Sequence, residues 1–241
     1  MLSQEFLREN NDKSQTNTDG TCVSSQISIN DMRSERGRGI VCADATWYSR
    51  VKRAVDLAGS VSLLVVLSPL MCALAVGVKV SSPGAMCFAQ TRLTQGGRAF
   101  QLLKFRSMVS DAEDISGAVL AQRADPRVTT FGRFIRITRL DELPQLINVV
   151  RGDMSLIGPR PERPEIAQAL HREIPRFYSR LKVKAGLTGL AQVVQGYPDG
   201  VRGYRRKVAL DLLYIRKRSL ALDSWIALRT VAVVLTGSGA R

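Results

Sequence analysis

The sequence predicts a mixed α/β, helix-rich protein attached to a membrane from one side. A polar tail occupies 1–45, a membrane helix 46–80, and one compact domain with amphipathic interfacial helices 81–241. Three observations carry this prediction. The run "LAGSVSLLVVLSPLMCALAVGV", 57–78, has 22 uncharged residues, about 33 Å of helix against a hydrocarbon core of about 30 Å. Ser68-Pro69 interrupts it at its midpoint, where proline removes a backbone hydrogen bond and bends a helix. Basic residues flank it on both sides: Arg50, Lys52 and Arg53 before, Lys79, Arg92 and Arg98 after. A positive-inside bias does not readily place either end outside. The three together predict a re-entrant helix that breaks at Ser68-Pro69 and returns to the cytoplasmic face. A kinked spanning anchor gives a similar pattern and stays open.

The first 45 residues are rich in Ser, Asn, Asp, Thr and Gln, with 5 basic and 7 acidic groups. They bury too little apolar surface to offset their ordering entropy, so a mobile tail is expected. They lack the basic start and apolar core of a signal peptide.

The remaining residues hold 30 basic against 14 acidic groups. A body this basic points to an anionic partner: phosphorylated substrates, acidic lipid headgroups or nucleic acid. Aromatics make up only 6% of the chain, few for the base stacking that nucleic-acid binding uses. The four cysteines, 22, 42, 72 and 87, show no C-x-x-C spacing, which argues against a zinc site or a secreted disulfide framework. A single histidine, His171, excludes multi-histidine metal centres and is expected on a polar surface helix.

Within 81–241, "SSPG" reads as a turn and "MCFAQTRL" as a strand leading into the hairpin "TQGGRAF". "QLLKFRSMVSDAED" has helical or mixed periodicity; if extended, it sets Lys104 and Arg106 on one side and Phe105 on the other. Leu143, Leu146, Ile147 and Val150 define a helix face ended by Gly152. "DMSLIGPRPERP" is a short extended piece leaving through three prolines, and "AGLTGLAQV" a turn-rich loop whose glycines admit a substrate or make a tight turn. The C-terminal third mixes Arg and Lys with Leu, Tyr, Trp and Val, as helices on a membrane surface do; packing against the domain is the alternative.

The adjacent acids Asp141-Glu142 precede the amphipathic helix, where free N–H groups and the dipole stabilise negative charge. They are a helix cap on position alone. Arg133, Arg136 and Arg139, spaced by threes, together with Lys104, Arg106, Arg160 and Arg163, surround them with cations. Carboxylates beside phosphate-binding cations are what phosphoryl chemistry with a divalent metal requires. Prolines on both sides of Arg160 restrict its backbone and present its guanidinium at low ordering cost. Asp211 is either a third functional acid or a surface helix acid.

From about Arg50 onward the chain resembles the bacterial sugar transferases, small monotopic polyprenyl-phosphate phosphoglycosyl transferases. The resemblance rests on "VKRAVDLAGS", Ser68-Pro69, "SSPG", "KFRSM…DAE", "LDELPQLINVVRGDMSLIGPRPERP", "GLTGLAQV", "DLLY" and "SGAR", in order. It implies a nucleotide-diphosphate sugar donor (a UDP-sugar), a polyprenyl (undecaprenyl) phosphate acceptor, Mg²⁺, and a site on the cytoplasmic face of the bacterial inner membrane. It implies Asp141 as the nucleophile that carries the phosphosugar, with Glu142 binding metal or assisting proton transfer. Lys104, Arg106 and Arg160 match positions near the phosphates; Arg163 and Asp211 match less diagnostically. The product implied is polyprenyl-diphosphate-sugar, the first membrane intermediate of exopolysaccharide, capsule or O-antigen assembly.

The several-helix N-terminal membrane domain of larger members is not expected, and a homo-oligomer is left open. Ala185 replaces the usual proline before "GLTG", and Gln195-Gly196-Tyr197 replaces the common Ser/Asn-Gly-Arg; both leave the sugar open. A membrane-tethered binder of nucleic acid or acidic lipid, without catalysis, is the competing class.

Overall fold

A computed structural model describes residues 46–109, 125–196 and 200–236. The polar tail, "DAE" at 111–113, Tyr197 and "SGAR" lie outside the described residues.

The apolar run lies in α1, Thr46–Ser81, with Pro69 inside it. It is the one helix among the described residues long and apolar enough to cross a membrane. Contrary to the expected break, Pro69 does not end the helix. The missing N–H of Pro69 would have bonded the Val65 carbonyl one turn earlier; the Ser68 hydroxyl donates to that carbonyl instead, at 2.8 Å. The serine thus satisfies the acceptor that the proline orphans.

Both flanks of α1 rest on the rest of the chain. Arg53 donates to the carbonyls of Val149 and Val150 at 2.7 and 2.9 Å, and Asp56 accepts from the Leu156 N–H at 3.0 Å. Toward the other end, Leu74 and Val78 pack with Phe105 and Ile135. Between these anchors Val65 and Val66 are about 70% exposed, at 69% and 72%.

The turn after α1 leads into an antiparallel hairpin, β1 (Cys87–Leu93) and β2 (Ala99–Phe105), in register Cys87 to Phe105. The expected hairpin is present. "QLLKF" is strand rather than helix, because Phe100 and Leu102 face one apolar cluster and Phe105 the other. Next come α2 (Thr130–Ile137) and α3 (Gln145–Arg151). A second, parallel pair joins β3 (Met154–Ile157) to β4 (Ala185–Thr188). Helix α4 (Pro164–Glu173) lies between them, with proline in its first turn. Among the described residues three helices follow β4: α5 (Leu190–Val194), α6 (Gly200–Lys217) and α7 (Leu220–Thr236).

"AGLTGLAQV" is therefore a strand and a short helix, not a loop. Its glycines serve backbone packing: a Cβ on Gly186 would stand 2.1 Å from the Gly158 nitrogen. Ala185 is buried, and its N–H donates to the Thr94 hydroxyl at 3.2 Å, a bond no proline can make.

The largest core cluster joins β1, β3, α4, the turn Phe177–Lys182, α6 and α7. Helix α6 buries Val208, Leu212, Tyr214 and Ile215 and so packs into the domain, whereas α7 exposes Trp225, Leu228, Val231 and Val234. His171 is half-buried and stacks on Tyr178 with ring centroids 4.2 Å apart.

Candidate active site

The site grows from α3 and what precedes it. Leu146 and Val149 are buried and root the helix; Gly152, at φ 88°, ends it as expected. Asn148 is fully buried and joins α3 to strand β2: its amide donates to the Gln101 carbonyl and its oxygen accepts from the Leu103 N–H, at 2.8 and 3.0 Å. That fixes β2 beside α3 and brings Lys104 to the acids.

Asp141 and Glu142 lie not in the first turn of α3 but in a separate 3-10 turn, Leu140–Glu142, ahead of Pro144. Arg139 opens that turn with φ 58°, the one non-glycine residue of positive φ among the described residues. A left-handed arginine is strained, and this one reverses the chain between α2 and the acids.

The two carboxylates have different surroundings. Glu142 receives both terminal nitrogens of Arg160: Nη1 donates to Oε2 at 3.0 Å and Nη2 to Oε1 at shorter range. Lys104 Nζ adds a bond to Oε1 at 3.3 Å. Burial alone would raise its pKa; the charges of Arg160 and Lys104 outweigh it and hold Glu142 well below the usual carboxylate range. Asp141 is also buried, at 8% exposure, and its nearest cation is Lys104 at 3.9 Å. Here burial prevails: it pushes the carboxyl up against the pull of Lys104, and the Glu142 charge pushes the same way. Of the two adjacent acids, the depressed one is Glu142.

The structure thus brings together Lys104, Asp141, Glu142 and Arg160. Arg136 and Arg139 bear on them electrostatically, while Arg133 points to solvent. Arg106 turns onto Ser82, donating to its carbonyl at 2.6 Å and to its hydroxyl at 2.9 Å. Arg163 directly precedes α4, 3.6 Å from Glu165. Asp211 is no surface acid: it is 1% exposed and accepts from Arg180 at 2.7 and 3.0 Å.

Sequence reasoning missed Asn148 and Arg180. A polar residue inside the apolar stretch "LINVV" was a readable signal for the first. Nothing local distinguishes Arg180 in "FYSRLKV", because its partners lie 20 and 31 residues away.

Among the described residues no three His, Cys, Asp or Glu side chains cluster as metal ligands. Among the described residues, a divalent ion at the acid pair would draw the two carboxylates of Asp141 and Glu142. That suits a hard cation held mainly by substrate phosphates and water.

A family model described as bacterial sugar transferase matches residues 47–237. The UDP-N-acetylgalactosamine-undecaprenyl-phosphate N-acetylgalactosaminephosphotransferase of Aeromonas hydrophila is 46% identical over 80% of this chain. The UDP-glucose:undecaprenyl-phosphate glucose-1-phosphate transferase of Caulobacter vibrioides is 43% identical over 78%. The exopolysaccharide production protein PSS of Rhizobium leguminosarum bv. phaseoli is 39% identical over 77%. The matched stretch covers 46% of the Aeromonas protein, 71% of the Caulobacter protein and 96% of the Rhizobium protein, so the chain spans less than half the length of the first. With a match over most of its length, the chain belongs to the bacterial sugar transferase family.

Proposed function

We propose that the protein transfers a phosphosugar from a nucleotide-diphosphate sugar, a UDP-sugar, to undecaprenyl phosphate, through a covalent intermediate on Asp141. The single observation that carries this reading is the asymmetry of the acid pair. Arg160 occupies both oxygens of Glu142, whereas among the described residues the ion-pair contact of Asp141 is Lys104, at 3.9 Å. An anion engaged by two guanidinium bonds is a poor nucleophile, and the less engaged neighbour is the better one. The names of the relatives, which join UDP-sugars to undecaprenyl phosphate, support the substrates.

In the first step a carboxylate oxygen of Asp141 attacks the sugar-bearing phosphorus. The bond from that phosphorus to the bridging oxygen breaks, and nucleoside monophosphate leaves with the electron pair. In the second, an oxygen of undecaprenyl phosphate attacks the same phosphorus and the bond to Asp141 breaks. The carboxylate is restored and undecaprenyl-diphosphate-sugar departs. Lys104, 3.9 Å from Asp141, neutralises the incoming phosphates, with Arg136 and Arg139 adding positive potential. Glu142 holds Arg160 and Lys104 in place. Asp141 and Glu142 would hold Mg²⁺, which would supply charge neutralisation on the diphosphate.

The chemistry belongs at a membrane surface, on the cytoplasmic side of the inner membrane. In a straight helix Arg53 and Leu74 would stand about 31 Å apart. Arg53 bonds Val149 and Val150, and Leu74 belongs to the cluster against which Leu143 packs, seven residues before Val150 and about 10 Å away at helical rise. Contact of both flanks with so short a segment supports a helix that enters the bilayer, bends near Pro69 and returns. Exposed apolar side chains on α2 (Phe134, Ile137) and α7 would rest on the same leaflet.

Incubation with undecaprenyl phosphate, Mg²⁺ and a panel of nucleotide sugars tests the activity. Release of nucleoside monophosphate from one donor is expected. None from any donor, with salt-sensitive nucleic-acid or lipid binding as the one activity found, would replace the enzyme with a binding protein.

A further inference from the structure

The stretch Gly158–Glu162 carries Arg160 between two prolines that have no N–H to donate, so it cannot brace itself as a turn or helix would. Each carbonyl from Pro159 to Glu162 is nevertheless held from outside. The Gly186 N–H donates to Pro159 at 2.9 Å and the Leu93 N–H to Glu162 at 3.0 Å. The two in between are held by arginine side chains: Arg180 donates to the Arg160 carbonyl at 2.8 Å, and Arg92 to the Pro161 carbonyl at 3.2 Å.

Arg180 is 3% exposed. Its Nε and Nη2 donate to one oxygen of Asp211, its Cζ lies 5.1 Å from the centre of the Phe177 ring, and Nη1 stands 3.9 Å from Glu162. Glu162 in turn accepts from Lys207 and lies 3.7 Å from Arg92. Burying such a network is expensive in desolvation, and apolar side chains of similar volume often stabilise as well or better. Stability alone is a weak account of it. What the network does, and an apolar core would not, is grip the main chain of the residue that clamps Glu142.

We infer that Arg180 is a positioning residue, which acts through the Arg160 carbonyl to keep the Arg160 guanidinium on Glu142 and so leaves Asp141 free to react. Asp211 is the anchor that orients Arg180. The kinetic consequence rests on the transferase reading; the geometric one does not.

The test uses the full chain in detergent or nanodiscs, with a charge-balanced pair, Arg180→Gln with Asp211→Asn, and Arg160→Ala alone and combined with it. The pair should lower kcat by about tenfold or more, the scale of one hydrogen bond to a charged group, with little change in KM. Added to Arg160→Ala, it should cost less than about twofold more, since coupled residues do not add. Losses that multiply would overturn the inference, as would an unchanged kcat.

A second arm needs no turnover. Phenylglyoxal modification of Arg160, followed by peptide mass spectrometry, should speed up in the pair variant while the surface residue Arg98 keeps its rate. An unchanged Arg160 rate would overturn the inference even if no donor were ever found. Should the pair variant not fold, Arg180→Lys keeps the buried charge and is read in both arms. Failure of both to fold would assign Arg180 to the fold alone.

Discussion

Arg160 grips both oxygens of Glu142, 18 residues earlier in the chain, and so gives two adjacent acids unlike chemistry. Glu142 is a fixed counter-ion, and Asp141 is a desolvated carboxylate whose ion-pair contact, Lys104, stands 3.9 Å away.

Asp141→Asn should abolish turnover, by about 10³-fold or more, the scale seen when nucleophiles are removed. No phosphosugar adduct should appear by mass spectrometry. Glu142→Gln should retain the adduct but slow its formation, because Arg160 loses its charged partner. Adduct on residue 142 and none on 141 would reverse the assignment.

Acid stability should depend on Glu162. The charges of Lys207, Arg180 and Arg92 outweigh its burial and bring its pKa down to about 2 from 4.5. Between those values the unfolded chain binds the proton more readily, so the stabilisation is complete above pH 4.5 and fades as pH falls toward 2. Glu162→Gln should lower Tm at pH 7 and flatten its fall between pH 4.5 and 2, measured by circular dichroism.

Gly186→Ala should destabilise by about 2 kcal/mol, the usual scale of overpacking. Its Cβ would meet the Gly158 nitrogen at 2.1 Å and the Gly158 oxygen at 2.4 Å, with backbone that cannot swing away. Denaturant titration measures the loss. Activity should fall with it, since Gly158 leads into Arg160.

Asp223 joins the start of α1 to the domain: it accepts from Tyr48 at 2.9 Å, Lys52 at 3.0 Å and Tyr214 at 2.8 Å. Asp223→Ala should cost about 3 kcal/mol, as breaking a buried ion pair does, and speed trypsin cleavage at Lys52, which loses its partner. Tyr48→Phe should cost about 1 kcal/mol.

If α1 re-enters, single cysteines placed at Trp47 and Arg202 in a cysteine-free background should both react with an impermeant maleimide from the cytoplasmic side only. Labelling from opposite sides would establish a spanning anchor.

The long helix, the hairpin and the helix ended by Gly152 were legible because each is a local pattern: an uncharged run, two strands around Gly96-Gly97, and an apolar face closed by a glycine of positive φ. The glycines of "AGLTGLAQV" were misread, since a glycine that makes a turn and one that lets two backbones touch look alike until Gly158 is found beside Gly186. Asp211 was misjudged for a similar reason: its helix position does not reveal that Arg180 lies buried against it.

By itself the sequence determined which chemistry was on hand: two adjacent acids, an excess of cations, a proline-flanked arginine and a membrane-length helix are covalent facts and short-range preferences. Only the tertiary structure decided how that chemistry is shared out. Whether Asp141 or Glu142 meets the guanidinium, and whether Ser68 covers for Pro69, depends on distances and burial between groups. Those follow from packing segments far apart in the chain, which no local pattern encodes.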